Sequence, residues 1–411
     1  VVEAKGGDTD DLDTEIEQQE RALAAMHRLG GEKLSSTGFS ILDEVIDEIS
    51  ERIDRALTDF GAESLKPGFF GGIALAGLEA TLVQLMGTEA GTQLTLTLTQ
   101  GLEGDTTIEQ NQAMFDVARG NLTLAEFIDR YGHRTVEEME LSRPRWREDP
   151  SYVQQVLGAY LDESVTAPGE LHDRNAERCA RSEKELPETL RQWGGSSLLE
   201  GVLVDLKDAQ ALLPYREAGK HYLMMGYETI RLGILELARR WDMGRDVFFL
   251  KWDELRTYEG TPDGLAGLIG ARKTRWQSAR RLDMAEVVDS EHLDILGLPK
   301  EYDDAQELAG EPVASGVATG IARIVHDPTQ TADLRTDYIL VCHSTDPGWT
   351  ALFVHARAVI VEQGGILSHG AIVARDFGIP AVVCPDATRR IPDKANIRVD
   401  GNRGTITLLD E

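Results

Sequence analysis

Apolar positions recur at helical spacing along most of the chain up to about residue 310, then give way to short unbroken apolar runs. Ile41-Leu42-Val45-Ile46-Ile49-Ile53-Ala56-Leu57 follows the helical period, and Leu12 to Leu29 carries Glu, Gln, Ala and Leu with few breakers. The two segments are expected to pair as a helical hairpin within residues 1–62. Ile73 to Met86, bounded by Gly71-Gly72 and Gly87, reads as a core helix, whereas the Thr-Leu alternation of Thr92 to Thr99 fits a strand set among helical neighbours. Further helices are expected over Ile108–Arg119, Thr123–Tyr131, Tyr215–Leu237 and residues 263–281. Asp246 to Leu255 reads as packing, with Phe248, Phe249 and Trp252 as core anchors.

Beyond residue 310 the pattern is strand-like, with Tyr338–Cys342 and Ala358–Glu362 as apolar strands. The fold class this predicts is multi-domain: a mainly α-helical domain over 1–309, then a small α/β domain over 310–411. Residues 298–312, with acidic side chains, glycine and two prolines, read as a linker able to act as a hinge.

The densest chemistry follows the strand that ends at Glu362. Gly364-Gly365 frees the backbone for a tight turn, Ser368 is placed to cap a helix from His369 to Phe377, and Gly378 followed by Pro380 ends it. His369 therefore falls in the first helical turn, where unpaired backbone N–H groups and the helix dipole favour an anion and disfavour an imidazolium. A phosphoryl group carried on the ring would be stabilised there, with Arg375 able to screen it. The plain alternative is a capping or packing histidine.

The whole string changes that balance. Glu362 to Val382 resembles the phosphohistidine, or swivelling, domain of the PEP-utilizing enzymes, whose pattern E-x-G-G-x-x-S/T-H-x-A-I-x-A-R-E/D-x-G-I-P-A-V is met throughout, with Asp376 where Glu is commoner. Gly316 to Val325, Thr345-Asp346-Pro347-Gly348-Trp349-Thr350 and Val399 to Thr407 resemble the family's opening strands, helix-starting turn and closing hairpin, in the form of the rifampicin phosphotransferase and phenylphosphate synthase branch. The resemblance implies that His369 is the phosphorylated residue, supported by Gly364, Gly365, Ser368 and Arg375.

Two central segments carry further candidates. Tyr131-Gly132-His133-Arg134 and Glu137 to Trp146 set arginines beside carboxylates and an aromatic ring, the makings of a rigid polar loop. Arg216, Glu217 and Lys220 share a helix face, which suits either an ordinary salt-bridged surface or a phosphoryl-transfer site with two cations and a carboxylate. Both segments resemble the middle domain of rifampicin phosphotransferase. That resemblance implies catalytic roles for Arg216, Glu217 and Lys220 beside His369, and makes Arg134, Trp146 and Arg231 candidates in the substrate domain.

Composition narrows the class. The net charge of −29, from 71 acidic against 42 basic residues, argues against a nucleic-acid surface. No run of about 18 apolar residues stands out, so no membrane span is expected. Cys179, Cys342 and Cys384 are odd in number and far apart, which reads as reduced thiols in a cytoplasmic protein. No metal cluster is expected, and His343 beside Cys342 reads as turn chemistry.

The chain starts Val-Val-Glu-Ala-Lys without methionine, as a processed chain or one piece of a longer polypeptide would. No ATP-grasp signature and no phosphoenolpyruvate barrel are recognised. The expectation is therefore the acceptor-binding and carrier part of an ATP-dependent, dikinase-type phosphotransferase. ATP and Mg2+ would be held mainly by an ATP-grasp domain or subunit, and the acceptor would be a small hydroxyl compound or phenol. The alternatives are a phosphoenolpyruvate synthase-like relay component and a non-catalytic regulatory carrier.

Overall fold

The computed structural model describes residues 21, 42–162, 165–256, 258, 262–281, 290–291, 305–330 and 336–409. The expected helix over Leu12–Leu29 lies outside these residues except for Arg21, as do residues 298–304 of the linker. The chain forms two compact units: residues 1–32, 53–228 and 306–411 make the first, residues 33–52 and 229–305 the second.

In chain order the helices are α1 (Leu42–Ile53), a π-helical stretch Asp54–Phe60, α2 (Gly61–Met86), α3 (Thr88–Leu98), α4 (Thr106–Arg119), α5 (Leu124–Tyr131), α6 (Ser151–Leu157), α7 (Pro168–Gln192), α8 (Leu199–Leu212) and α9 (Pro214–Arg240). After these come α10 (Trp252–Arg256) and α11 (Pro262–Ala279). The described residues from Leu42 to residue 281 are thus mainly helical, in keeping with their apolar period.

In the first unit Leu78 and Leu82 of α2, Leu98 of α3, Leu186 and Leu190 of α7, and Val202 and Leu206 of α8 form one buried cluster. A second gathers Phe127, Tyr131, Trp146, Val153 and Tyr160. The strand-like Thr92–Thr99 is helical. Gly91 approaches the Val83 backbone so closely that a Cβ there would stand 2.5 Å from its Cα, and this α2–α3 crossing buries Thr92, Thr95, Leu96 and Leu98 together. The core helix expected from Ile73 begins at Gly61 and runs through Gly71-Gly72 without a break.

The same region corrects the membrane expectation. Asp43–Met86 holds an 18-residue window of mean hydropathy 1.5, of which 28% is buried, so one helix among the described residues is long and apolar enough by length and composition to cross a bilayer. Its Ala74, Leu75, Leu78 and Leu82 are buried among the helices of the unit.

The second unit is the smaller. Of the anchors expected over 246–255, Phe248, Phe249 and Trp252 are only half-buried, and Val247 and Leu255 fill the core instead. Phe248 lies under the Arg231 guanidinium at 5.0 Å, and Phe249 lies edge-on to Trp276.

The rest of the first unit is an eight-stranded sheet, ordered β1-β8-β7-β3-β4-β5-β6-β2. Its strands are β1 (Glu307–Ala309), β2 (Glu311–Ala314), β3 (Val317–Val325), β4 (Tyr338–Cys342), β5 (Ala356–Val361), β6 (Ala381–Val383), β7 (Asn396–Asp400) and β8 (Thr405–Leu408). β3, β4, β5 and β6 pair parallel, and every residue of β4 is buried, as suits a strand covered on both faces.

Short helices α12 (Thr350–Phe353), α13 (His369–Phe377) and α14 (Ala387–Arg390) lie between strands. β1 pairs with β8 and β2 with β6, so residues 307–312, read as linker, are strands, and the sheet begins ahead of residue 310. Pro312 sits in β2, at an edge of the sheet, where a missing N–H is tolerated.

Candidate active site

The site forms where parallel strands end. β4 and β5 pair Cys342 with Val361, and the chain leaving each carboxyl end turns over the same edge of the sheet. After β4, Asp346 caps the turn through Gly348 N at 2.8 Å and leads into α12 at Thr350. After β5, Gly364 takes a φ of 140°, and a Cβ there would stand 2.7 Å from Ser368 Oγ. Only glycine fits that turn. Ser368 then caps α13, accepting from Ala371 N at 3.3 Å, and Gly378 closes the helix in the left-handed conformation.

His369 is thereby fixed in the first turn of α13 and is 4% exposed. Its Nε2 lies 3.3 Å from Thr350 Oγ1, and its Nδ1 lies 3.3 Å from Glu217 Oε2 on α9. Glu217 is 2% exposed; it accepts from Thr107 Oγ1 of α4 at 3.0 Å and pairs with Arg216 Nη1 at 2.5 Å. Burial alone would raise the Glu217 carboxyl. The hydrogen bond and charge of His369, together with the Arg216 and Lys220 cations, outweigh burial and hold it far below the ordinary carboxylate value.

Lys220 does not pair with Glu217, as its spacing suggests, but reaches Glu138 Oε1 at 3.0 Å. Glu138 also receives Arg134 at 2.7 and 3.2 Å, and Arg134 Nη1 lies 3.3 Å from His221 Nδ1. Burial opposes ionisation of Glu138, but Arg134 and Lys220 bring its carboxyl down to about 2. A cavity of about 360 Å³ opens beside this group, lined by Glu137, Glu138, Met139, Glu140, Lys220 and Asp346.

The sheet region is seated on the helices by polar contacts around this site. Glu137 N donates to Asp346 Oδ2 at 2.7 Å, Tyr152 Oη donates to the Gly348 carbonyl, and Asn175 Nδ2 donates to the Arg375 and Asp376 carbonyls at 2.9 Å each.

The structure therefore brings together His369, Glu217 and Arg216, with Lys220 at the edge of the adjoining cavity. Arg375, expected to screen a phosphoryl group, points into the histidine loop instead. It is buried, and its Nη1 donates to Val313 O at 3.2 Å and Ile366 O at 2.7 Å, so its role is to hold the histidine loop. Arg134 acts on the site only through Glu138, and Trp146 is 2% exposed within the core. Arg231 belongs to the second unit. Thr350, Thr107, Glu138 and Asp346 were not singled out from sequence; Thr350 and Asp346 ride on the turn quoted there, and Glu138 on the arginine-rich segment. His343 pairs with Glu362 at 2.7 Å, consistent with turn chemistry. All three cysteines are buried free thiols.

Comparison with known proteins defines the class. Residues 334–404 match the mobile domain of PEP-utilising enzymes, and residues 121–217 match the rifampicin phosphotransferase fourth domain. The histidine edge lies in the first match; Glu138, Arg216 and Glu217 lie in the second. The chain thus carries two matching segments, a PEP-utilising mobile domain and a rifampicin phosphotransferase fourth domain.

It is 29% identical to the rifampicin phosphotransferase of Streptomyces sviceus over 96% of this chain and 49% of that protein. With the rifampicin phosphotransferase of Bacillus cereus it shares 30% identity over 69% of this chain and 34% of that protein. With the prodigiosin synthesizing transferase PigC of Serratia marcescens it shares 28% over 69% of this chain and 33% of that protein. The chain spans half or less of the length of these relatives.

Proposed function

We propose that this chain is the acceptor-binding and phosphohistidine-carrier part of a phosphotransferase that phosphorylates a hydroxyl of an apolar organic molecule. The observation that carries the reading is the contact of His369 Nδ1 with Glu217, itself flanked by Arg216, at the seam of a carrier fold and a helical region. Glu217 accepts the Nδ1–H and fixes the tautomer, which leaves the lone pair of Nε2 beside Thr350.

Transfer from a phosphorylated Nε2 breaks the N–P bond and returns its electron pair to the ring while the acceptor oxygen bonds to phosphorus. The acceptor proton passes to the ring nitrogen. A carboxylate held as low as Glu217 is a weak base, so its part is to orient the ring and balance its charge rather than to take that proton. Arg216 and Lys220 steady the phosphoryl oxygens in transit.

The donor enters elsewhere. His369 is 4% exposed in this arrangement, so loading requires the carrier to leave the helices. ATP with Mg2+ would supply the phosphoryl group. Among the described residues no group of three or more Asp, Glu, His or Cys side chains is placed to hold a metal ion, so the nucleotide is assigned to an ATP-grasp domain or subunit.

The acceptor class rests on α2. A Cβ on Gly68 would touch Arg216 and one on Gly72 would touch Leu367 of the histidine loop, while Leu65, Phe69 and Ile73 beside that lane are 72%, 66% and 40% exposed. The names of the relatives, rifampicin phosphotransferase and prodigiosin synthesizing transferase, agree with a small organic acceptor.

The test is to load the chain with labelled phosphate, by phosphoramidate or by a candidate ATP-grasp partner with ATP, and then offer apolar alcohols and phenols. Label should leave His369 for an acceptor. Label that never forms on His369, or is lost only to water across a broad panel, contradicts the reading.

A further inference from the structure

A second cavity, of about 630 Å³, has no part in the site described above. It lies between α4, α7, α8 and α9, and the loop joining α3 to α4 completes its wall. That volume is in the range that holds a small organic ligand.

The wall is preformed. Gly101 takes a φ of 63°, and a Cβ there would stand 2.3 Å from Ala176 N, so the loop is pressed onto α7. Cys179 Sγ and Gln210 Nε2 both donate to the Leu98 carbonyl, at 3.1 and 2.9 Å, which ties α7 and α8 to the end of α3. Asp105 then caps α4 through Thr107 N at 2.8 Å.

The lining is one-sided in its chemistry. Ala180 and Ala218 leave room, Tyr215 and Tyr222 supply aromatic surface, and Glu103, Glu109 and Glu183 stand exposed around them. Among the described residues no Lys, Arg or His side chain lines the cavity, and no cation pairs with any of the three carboxylates. Their charge reaches the wall from two helices. Burial and then Glu109 on α4 raise the Tyr222 hydroxyl above its ordinary value, and burial and then Glu183 on α7 raise the Cys179 thiol to about 11. His172, which feels the Glu103 charge, is pushed down by burial and adds no cation at neutral pH. Thr106 Oγ1, also on the lining, is buried without a hydrogen-bond partner and is left over for a polar group of a guest.

An aromatic wall under carboxylates that no cation neutralises favours a positively charged guest. We propose that this cavity binds a small organic cation, an amine or quaternary ammonium compound with an apolar body. The site is separate from the acceptor lane on α2, and the inference does not depend on the phosphoryl relay. It backs onto the relay residues all the same: Tyr215 and Ala218 flank Arg216 and Glu217 along α9, and Thr106 precedes the Thr107 that donates to Glu217.

The test is calorimetric titration of the full chain, at physiological ionic strength, with benzylamine against benzyl alcohol and with choline against its uncharged carbon isostere. Each cation should bind at least roughly tenfold more tightly than its counterpart. Glu109→Gln and Glu183→Gln should each weaken the cations by roughly two- to fivefold. Glu89→Gln, which removes the same charge from the exposed first turn of α3, should leave them unchanged. Ala180→Trp, at an exposed position on the lining, should fill the cavity and abolish binding; the carboxylate variants carry the test if the new ring disturbs α7. No binding of either cation at millimolar concentration, or equal affinity for charged and uncharged partners, overturns the proposal. So does a Glu89→Gln chain that weakens as much as the two cavity variants, or cation binding that survives in a folded Ala180→Trp chain.

Discussion

At the scale of single residues, the site is two polar systems that meet on α9. Glu217 serves the histidine, and Glu138 ties Lys220 to Arg134. Neutralising either cation should leave loading of His369 intact and slow its unloading, because the proposed relay loads His369 away from α9. Arg216→Ala or Lys220→Ala should cost about 2–4 kcal/mol of barrier, the range of one lost preorganised contact. Phosphohistidine should therefore accumulate in a single-turnover chase, whereas wild-type transfer rates would reduce the pair to surface salt bridges.

Glu138 is 1% exposed, and removing it strands two cations, so Glu138→Ala should destabilise the first unit by about 3–5 kcal/mol in denaturant melts. Its carboxyl is depressed from 4.5 to about 2, so its contribution is full above pH 4.5 and is lost as pH falls through about 2. A Glu138→Gln chain should show a shallower loss of stability on acidification across that window.

At the scale of elements, α13 depends on its own sequence. Gly364, Ser368 and Gly378 set its turn, cap and end, so Ser368→Ala should cost about 1 kcal/mol and loosen His369. An unchanged melting curve for Ser368→Ala would show that Ala371 N finds another acceptor. This local determination is why the carrier strands, the histidine helix and the helical character of the first region were legible along the chain. What was not legible is what distance in sequence hides. The Thr92–Thr99 alternation is strand-like by itself and becomes helical through Gly91 against Val83. Residues 307–312 look like linker and pair with β8 and β6. Thr350 and Thr107 have no motif of their own, since each acquires its role by meeting His369 or Glu217 from another element.

At the scale of the whole molecule, the carrier region is seated on helices by polar contacts and by apolar packing together. Asp346 and the carbonyls of Gly348, Arg375 and Asp376 accept from Glu137, Tyr152 and Asn175. Ala351 is also buried with Phe127 and Trp146, and Ile366 and Leu367 pack on Ala74 and Leu75, so lifting the carrier would expose apolar surface as well as polar groups. A disulfide or short cross-link holding the sheet to α7 should therefore permit transfer from a carrier already loaded and block every later turnover.

The central claim is that His369 carries the phosphoryl group, and locating the group tests it most directly. Peptide mass spectrometry of the chain, quenched in alkali during turnover with ATP and a nucleotide-binding partner, should find an acid-labile phosphoryl group on His369. His369→Ala should give neither that species nor a phosphorylated acceptor. Full turnover by the variant, or a phosphoryl group that forms stably on another residue while His369 stays unmodified, would contradict the account.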